Sequence, residues 1–153
     1  MEALTDDAER LRGQLELTKL NDRQRAAVEA VMTTPNRISA IQGLAGVGKT
    51  TLLDALERSG FARSHEAGRG VIRDQMAIDG PALPWRDRAA FAELMLNWEL
   101  RSYELARRAR GPVFFDRGVP DVIGYLRLCE LPVPEHLLRA AAAFRYRQQV
   151  FIA

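Results

Sequence analysis

Apolar positions along the chain alternate between two spacings. One recurs every three or four residues, as on a helix face, and the other forms short unbroken runs, as in buried strands. Leu4, Leu11 and Leu15 set a thin stripe over residues 4–17, with Thr5 to cap the helix and Asp6 and Asp7 in its first turn. A second helix is expected from Asn21, where Asn21 and Gln24 suit a capping box and Ala27, Val28, Val31 and Met32 form the apolar face. Ile38-Ser39-Ala40-Ile41 reads as a first strand. Leu52, Leu53 and Leu56 share one side of a helix over Thr51–Arg58. Gly60–Glu66 reads as a short second strand, broken by Gly68-Arg69-Gly70, and Val71–Ala77 as a helical piece. Asp87 is expected to cap a long helix reaching about Arg110, where Gly111 stops it. Phe91, Leu94, Met95, Trp98 and Leu105 would share its buried face, Trp98 as a core residue.

The remaining pattern continues the alternation. Pro112–Asp116 is a third strand, continuous and aromatic as a buried parallel strand should be. Gly118-Val119-Pro120 reads as a turn and Asp121 as the cap of a helix through Leu128. Residues 134–146 form an alanine-rich helix with Pro134 at its first position, and Gln149–Ile152 begins a fourth strand. The sum is an α/β fold of three layers, a parallel sheet with helices on both faces, organised as residues 1–36 (an N-terminal helical extension) and 37–153 (the main domain). A final strand with nothing after it suggests a domain truncated at its C-terminus.

Between the first strand and its helix lies Gly43-Leu44-Ala45-Gly46-Val47-Gly48-Lys49-Thr50, followed by Thr51. This is the G-x-x-x-x-G-K-[ST] phosphate loop, in the strand–loop–helix setting that the chemistry requires. The glycines let successive N–H groups turn inward around anionic oxygens. The helix start adds unpaired donors and the positive end of its dipole. Lys49 can then reach the β- and γ-phosphates, and Thr50 can offer its hydroxyl to Mg²⁺. ATP and Mg²⁺ are the expected ligands.

Composition changes this picture little. The apolar and charged shares, 47% and 27%, are those of an ordinary globular protein. A net charge of +2 does not argue for nucleic acid, and 20 arginines against 2 lysines read as codon usage rather than a binding surface. Arg107, Arg108 and Arg110 read as a solvated helix end. Cys129 is alone, which excludes a disulfide framework, and is expected as a small buried hydrophobe. No signal peptide or membrane-spanning run is present, so the cytoplasm is the default location.

Open α/β sheets bind ligands at the carboxyl ends of their strands. Asp116 has that address and is a candidate Mg²⁺ ligand; the alternative is a capping aspartate. Arg117 can clamp transferring or acceptor oxygens, or stand as a surface arginine. Glu66 and Arg69 repeat the acid-plus-arginine pair after the second strand, with Glu66 a candidate general base. His65 is read as structural. The catalytic set is therefore Lys49, Asp116, Glu66 and Arg117, and the acceptor is a small molecule that the sequence does not name.

Two family resemblances meet at the loop. His65–Arg69, Ile72–Gln75, Phe91–Met95, Phe114–Gly118, Asp121–Leu126 and Val150–Ala153 resemble small predicted ATPases with a NadR-like AAA domain. That family looks like P-loop kinases, and its Asp-Arg pair is similar to the one in thymidylate and deoxynucleoside kinases. The resemblance implies ATP and Mg²⁺ binding, a kinase-like fold, and neighbouring strands for the loop and Asp116. Leu20–Val28 and Ile38–Thr51 instead resemble the opening of superfamily 1 helicases, nearest to conjugative relaxase-helicases, where the residue matching Gln24 contacts adenine. The later helicase motifs are missing. The sequence therefore favours an ATPase or small-molecule phosphotransferase over a helicase fragment or a non-catalytic nucleotide binder.

Overall fold

A computed structural model describes residues 38–42, 49–58, 60–146 and 151–152, with the single positions 21, 22 and 26. Apart from Asn21, Asp22 and Ala26, the two expected N-terminal helices lie outside the described residues, as do the glycines of the phosphate loop. In chain order the elements are β1 (Ile38–Gln42), α1 (Lys49–Arg58), β2 (Ala62–Ser64), α2 (Ala67–Ala77), α3 (Arg88–Arg108), β3 (Val113–Phe115), α4 (Val119–Leu128), α5 (Glu135–Ala143) and β4 (Phe151–Ile152). The four strands form one sheet in the order β2-β3-β1-β4, and all three pairings are parallel.

β3 is the centre of the packing. Val113, Phe114 and Phe115 are all buried, so both sides of the strand are covered, which is why its sequence is unbroken rather than alternating. Phe115 and Val113 cluster with Ala106 of α3, and Phe115 meets Tyr146 edge-to-face at 5.1 Å. Phe114 meets Phe61 in the same way at 5.6 Å. A second core joins Ala92 and Leu96 of α3 to Val119, Val122, Ile123 and Leu126 of α4 and Leu137 of α5.

Several local expectations are corrected. α2 starts at Ala67, so Gly68-Arg69-Gly70 lies inside a helix rather than breaking the chain. Both glycines serve close packing: a Cβ on Gly68 would touch Met95 and Phe91, and one on Gly70 would stand 2.4 Å from Cη2 of Trp98. Gly118-Val119-Pro120 is not a turn, because α4 begins at Val119 and proline's fixed φ suits a first helical turn. Asp121 is accordingly inside the helix, where its Oδ2 accepts the Gly118 N–H at 3.1 Å. Asp87 does cap α3, accepting from the Ala90 N–H at 2.9 Å, and Gly111 with φ of 98° lies just past its end.

On the same long helix Phe91 is buried as expected, but Leu105 is 60% exposed, and the buried face continues through Ala92, Leu96, Glu99 and Ala106. Pro134 stands just before α5 instead of opening it. α5 ends at Ala143 because Phe144 and Tyr146 leave the helix to pack on Tyr103, with ring centroids at 5.3 and 5.4 Å. Cys129 is half-buried at the end of α4 rather than a core residue.

Candidate functional site at the strand ends

β1 and β3 lie side by side with Ala40 opposite Phe115. Asp116, the next residue after Phe115, therefore stands at the same end of the sheet as Gln42, where the glycine loop begins. That loop, Gly43-Leu44-Ala45-Gly46-Val47-Gly48, lies outside the described residues; helix α1 starts immediately after it, at Lys49, and Thr50 and Thr51 occupy its first turn. The expected adjacency of the loop strand and the Asp116 strand is thus present. Asp116 is half-buried, with its Oδ1 out of contact with solvent.

The end of β2 brings the remaining expected residues to the same place. Glu66 Oε1 lies 3.4 Å from Arg117 Nε, and Glu66 Oε2 lies 3.2 Å from Arg69 Nε. Arg117 Nη1 in turn lies 3.6 Å from Asp121 Oδ1. Glu66 thus sits between two guanidinium groups, and Arg117 between two carboxylates. A cleft of about 520 Å³ opens here, lined by Leu53, Glu66, Arg69, Arg73, Trp98 and Asp116 among others. Glu66, Arg69 and Asp116 share it, while Arg117 joins through Glu66.

His65, read from the sequence as structural, is exposed and lines this cleft. Trp98 packs on Gly70, yet it is only half-buried and forms part of the cleft wall. Beyond Trp98 lies a second cavity of about 720 Å³, which shares Arg63, Ser64, His65 and Trp98 with the first.

One residue of this region escaped the sequence reading. Glu99 is 2% exposed, and its Oε2 has no hydrogen-bond partner among the described residues. Burial pushes its carboxyl up to about 8, helped by the charges of Asp121 and Asp116 and opposed by Arg117. At neutral pH it is a neutral acid within the influence of Asp121, Asp116 and Arg117. Its sequence signal was available: on α3 it falls three residues after Leu96 and seven before Ala106, in line with the buried stripe. Tyr146 is also raised, by burial first and then by Glu99, and its hydroxyl accepts the Val119 N–H at 3.3 Å.

Among the described residues no three His, Cys, Asp or Glu side chains converge into a self-contained metal site. Mg²⁺ does not need one, because it keeps several waters and binds through one or two carboxylates together with substrate phosphates. The half-buried Asp116 carboxylate at the strand end, one strand from the helix whose first turn carries Thr50, fits that donor set.

Among the described residues no helix is long and apolar enough to cross a membrane. No curated protein and no solved structure matches the chain. A family model described as AAA domain matches residues 39–153, most of the sequence and all of the described sheet apart from Ile38. With a phosphate loop leading from β1 into α1 and an aspartate ending the neighbouring strand, the chain belongs to this AAA-domain family of P-loop proteins.

Proposed function

We propose that the protein is an ATP-dependent phosphotransferase of kinase-like type, a three-layer P-loop domain acting on a small-molecule acceptor with Mg²⁺. The observation that carries this reading is the parallel pairing of β1 with β3, which sets Asp116 beside the start of the phosphate loop. The loop amides and Lys49 would hold the phosphates of ATP, with Thr50 and Asp116 holding the metal. When bound, the metal neutralises charge on the phosphates. Little covalent chemistry is then left to the protein, so positioning and electrostatics dominate.

Glu66 stands on the β2 side of the cleft, where it can accept the proton of an acceptor hydroxyl. Arg117 stands between Glu66 and Asp121 and can follow charge as it develops on the transferring group. Arg69 braces the other Glu66 oxygen. Phosphoryl transfer, rather than hydrolysis alone, is favoured by the cleft of about 520 Å³ beside Asp116, which is large enough for a second substrate.

Thermal melting tests the nucleotide half of this reading. Mg-ATP should raise the melting temperature of the parent chain and leave Lys49→Ala unmoved. Equal shifts in both proteins would remove the loop from the account.

A further inference from the structure

The polar cleft does not end at Trp98. The second cavity is bounded by β2, α2 and α3 and contains Val71, Leu94, Leu105, Ala106, Ala109 and Val113. Arg63, Ser64, His65 and Trp98 line both spaces, so the two adjoin along these four side chains. One end of the combined site is acidic and basic, and the other is largely aliphatic. Its size suits a small ligand rather than a macromolecule.

Charge pairing narrows the ligand. Each arginine that lines the polar cleft already faces a carboxylate. Arg63 is 2.6 Å from Asp54 and 3.2 Å from Glu57, Arg69 is 3.2 Å from Glu66, and Arg73 is 3.0 Å from Asp74. An anionic acceptor would meet guanidinium charge that is already offset and would add its own charge beside Asp54, Glu66 or Asp74. An uncharged hydroxyl needs only hydrogen bonds, which Glu66, Ser64 and His65 can provide.

We infer that the acceptor is an uncharged amphipathic alcohol, its apolar body in the chamber beyond Trp98 and its hydroxyl in the cleft by Glu66 and Asp116. The inference rests on the phosphotransferase reading above. In the transfer, the alcohol oxygen bonds to the γ-phosphorus of ATP as the bond from that phosphorus to the β–γ bridging oxygen breaks. ADP keeps the electron pair, and the hydroxyl proton passes to Glu66.

Fluorescence tests this directly. The chain has two tryptophans, and Trp85 is exposed, so Trp85→Phe leaves Trp98 as the sole reporter. In the full chain carrying that change, 1-octanol should alter the emission saturably. Glycerol, which lacks the apolar body, should bind at least tenfold more weakly. Octanoate tests the opposite case, an anion drawn to Arg101 on the chamber's exposed side, and should also be at least tenfold weaker. Leu105→Glu, at an exposed chamber position, should weaken octanol at least fivefold, with the fold checked by circular dichroism.

Equal binding of octanol and octanoate, no saturable response, or an unaffected Leu105→Glu would each overturn the inference. A melting response to Mg-ATP measured on the same sample separates the two readings. If Mg-ATP stabilises the chain and octanol does nothing, the acceptor class alone is wrong. If Mg-ATP does nothing, the phosphotransferase reading falls and the acceptor role falls with it.

Discussion

Arg117 Nε lies 3.4 Å from Glu66 Oε1, and this contact ties the loop after β3 to the loop after β2. Both side chains are partly exposed, at 47% and 26%, so the pair adds less than about 1 kcal/mol to stability. Its value lies in position, because it holds the guanidinium against Glu66, which lines the cleft. Arg117→Gln should therefore lower kcat for ATP turnover by about 100-fold while moving the melting temperature by no more than a few degrees. A large loss of melting temperature with unchanged kcat would make Arg117 structural.

Glu99 gives the metal-free chain a specific pH dependence. Its carboxyl titrates at about 8 when folded, against 4.5 as its ordinary value. Between those values the folded chain holds a proton that the unfolded chain has released. Stability should thus fall as pH rises from 4.5 to 8 and level off above that. Glu99→Gln keeps the shape and removes the titration. In EDTA at pH 7 it should be more stable than the parent by on the order of 3 kcal/mol. Urea unfolding at pH 5 and pH 8 should show the parent losing more stability than the variant; parallel losses would show that Glu99 is not held protonated.

Gly70 sets two effects against each other. Alanine in a helix interior is ordinarily favoured over glycine by up to about 1 kcal/mol. Here the added Cβ would stand 2.4 to 2.9 Å from three atoms of the Trp98 ring. The indole is stiff, and overpacking of this kind costs about 1–3 kcal/mol, so the clash should win. Gly70→Ala should be destabilised in urea and should shift the Trp98 emission as the ring moves toward the cleft. Stabilisation with unchanged emission would mean that Trp98 does not rest on Gly70.

Much of this was legible in the residues. The β-branched run ending at Ile41, the glycine loop and the leucines of α1 placed a strand, a phosphate loop and a helix in order. Val113-Phe114-Phe115 announced a strand buried on both sides, and Asp116 followed from the rule that open sheets act at their carboxyl ends. Two of the misreadings share a cause, since glycine and proline were taken as breaks. In α2 the glycines allow Phe91, Met95 and Trp98 of α3 to approach, and in α4 the proline sits in the first turn of a helix. Tertiary packing decided the first, and proline's fit to a first helical turn the second. Glu99 was hidden differently: a glutamate among apolar residues reads as the edge of a stripe until the neighbouring helix covers it.

The most direct measurement is ADP release in Mg²⁺ with 1-octanol as acceptor, compared between the parent chain, Lys49→Ala and Asp116→Asn. The pairing of β1 with β3 predicts turnover in the parent and a loss of at least 100-fold in both variants. Equal turnover by all three proteins would contradict it.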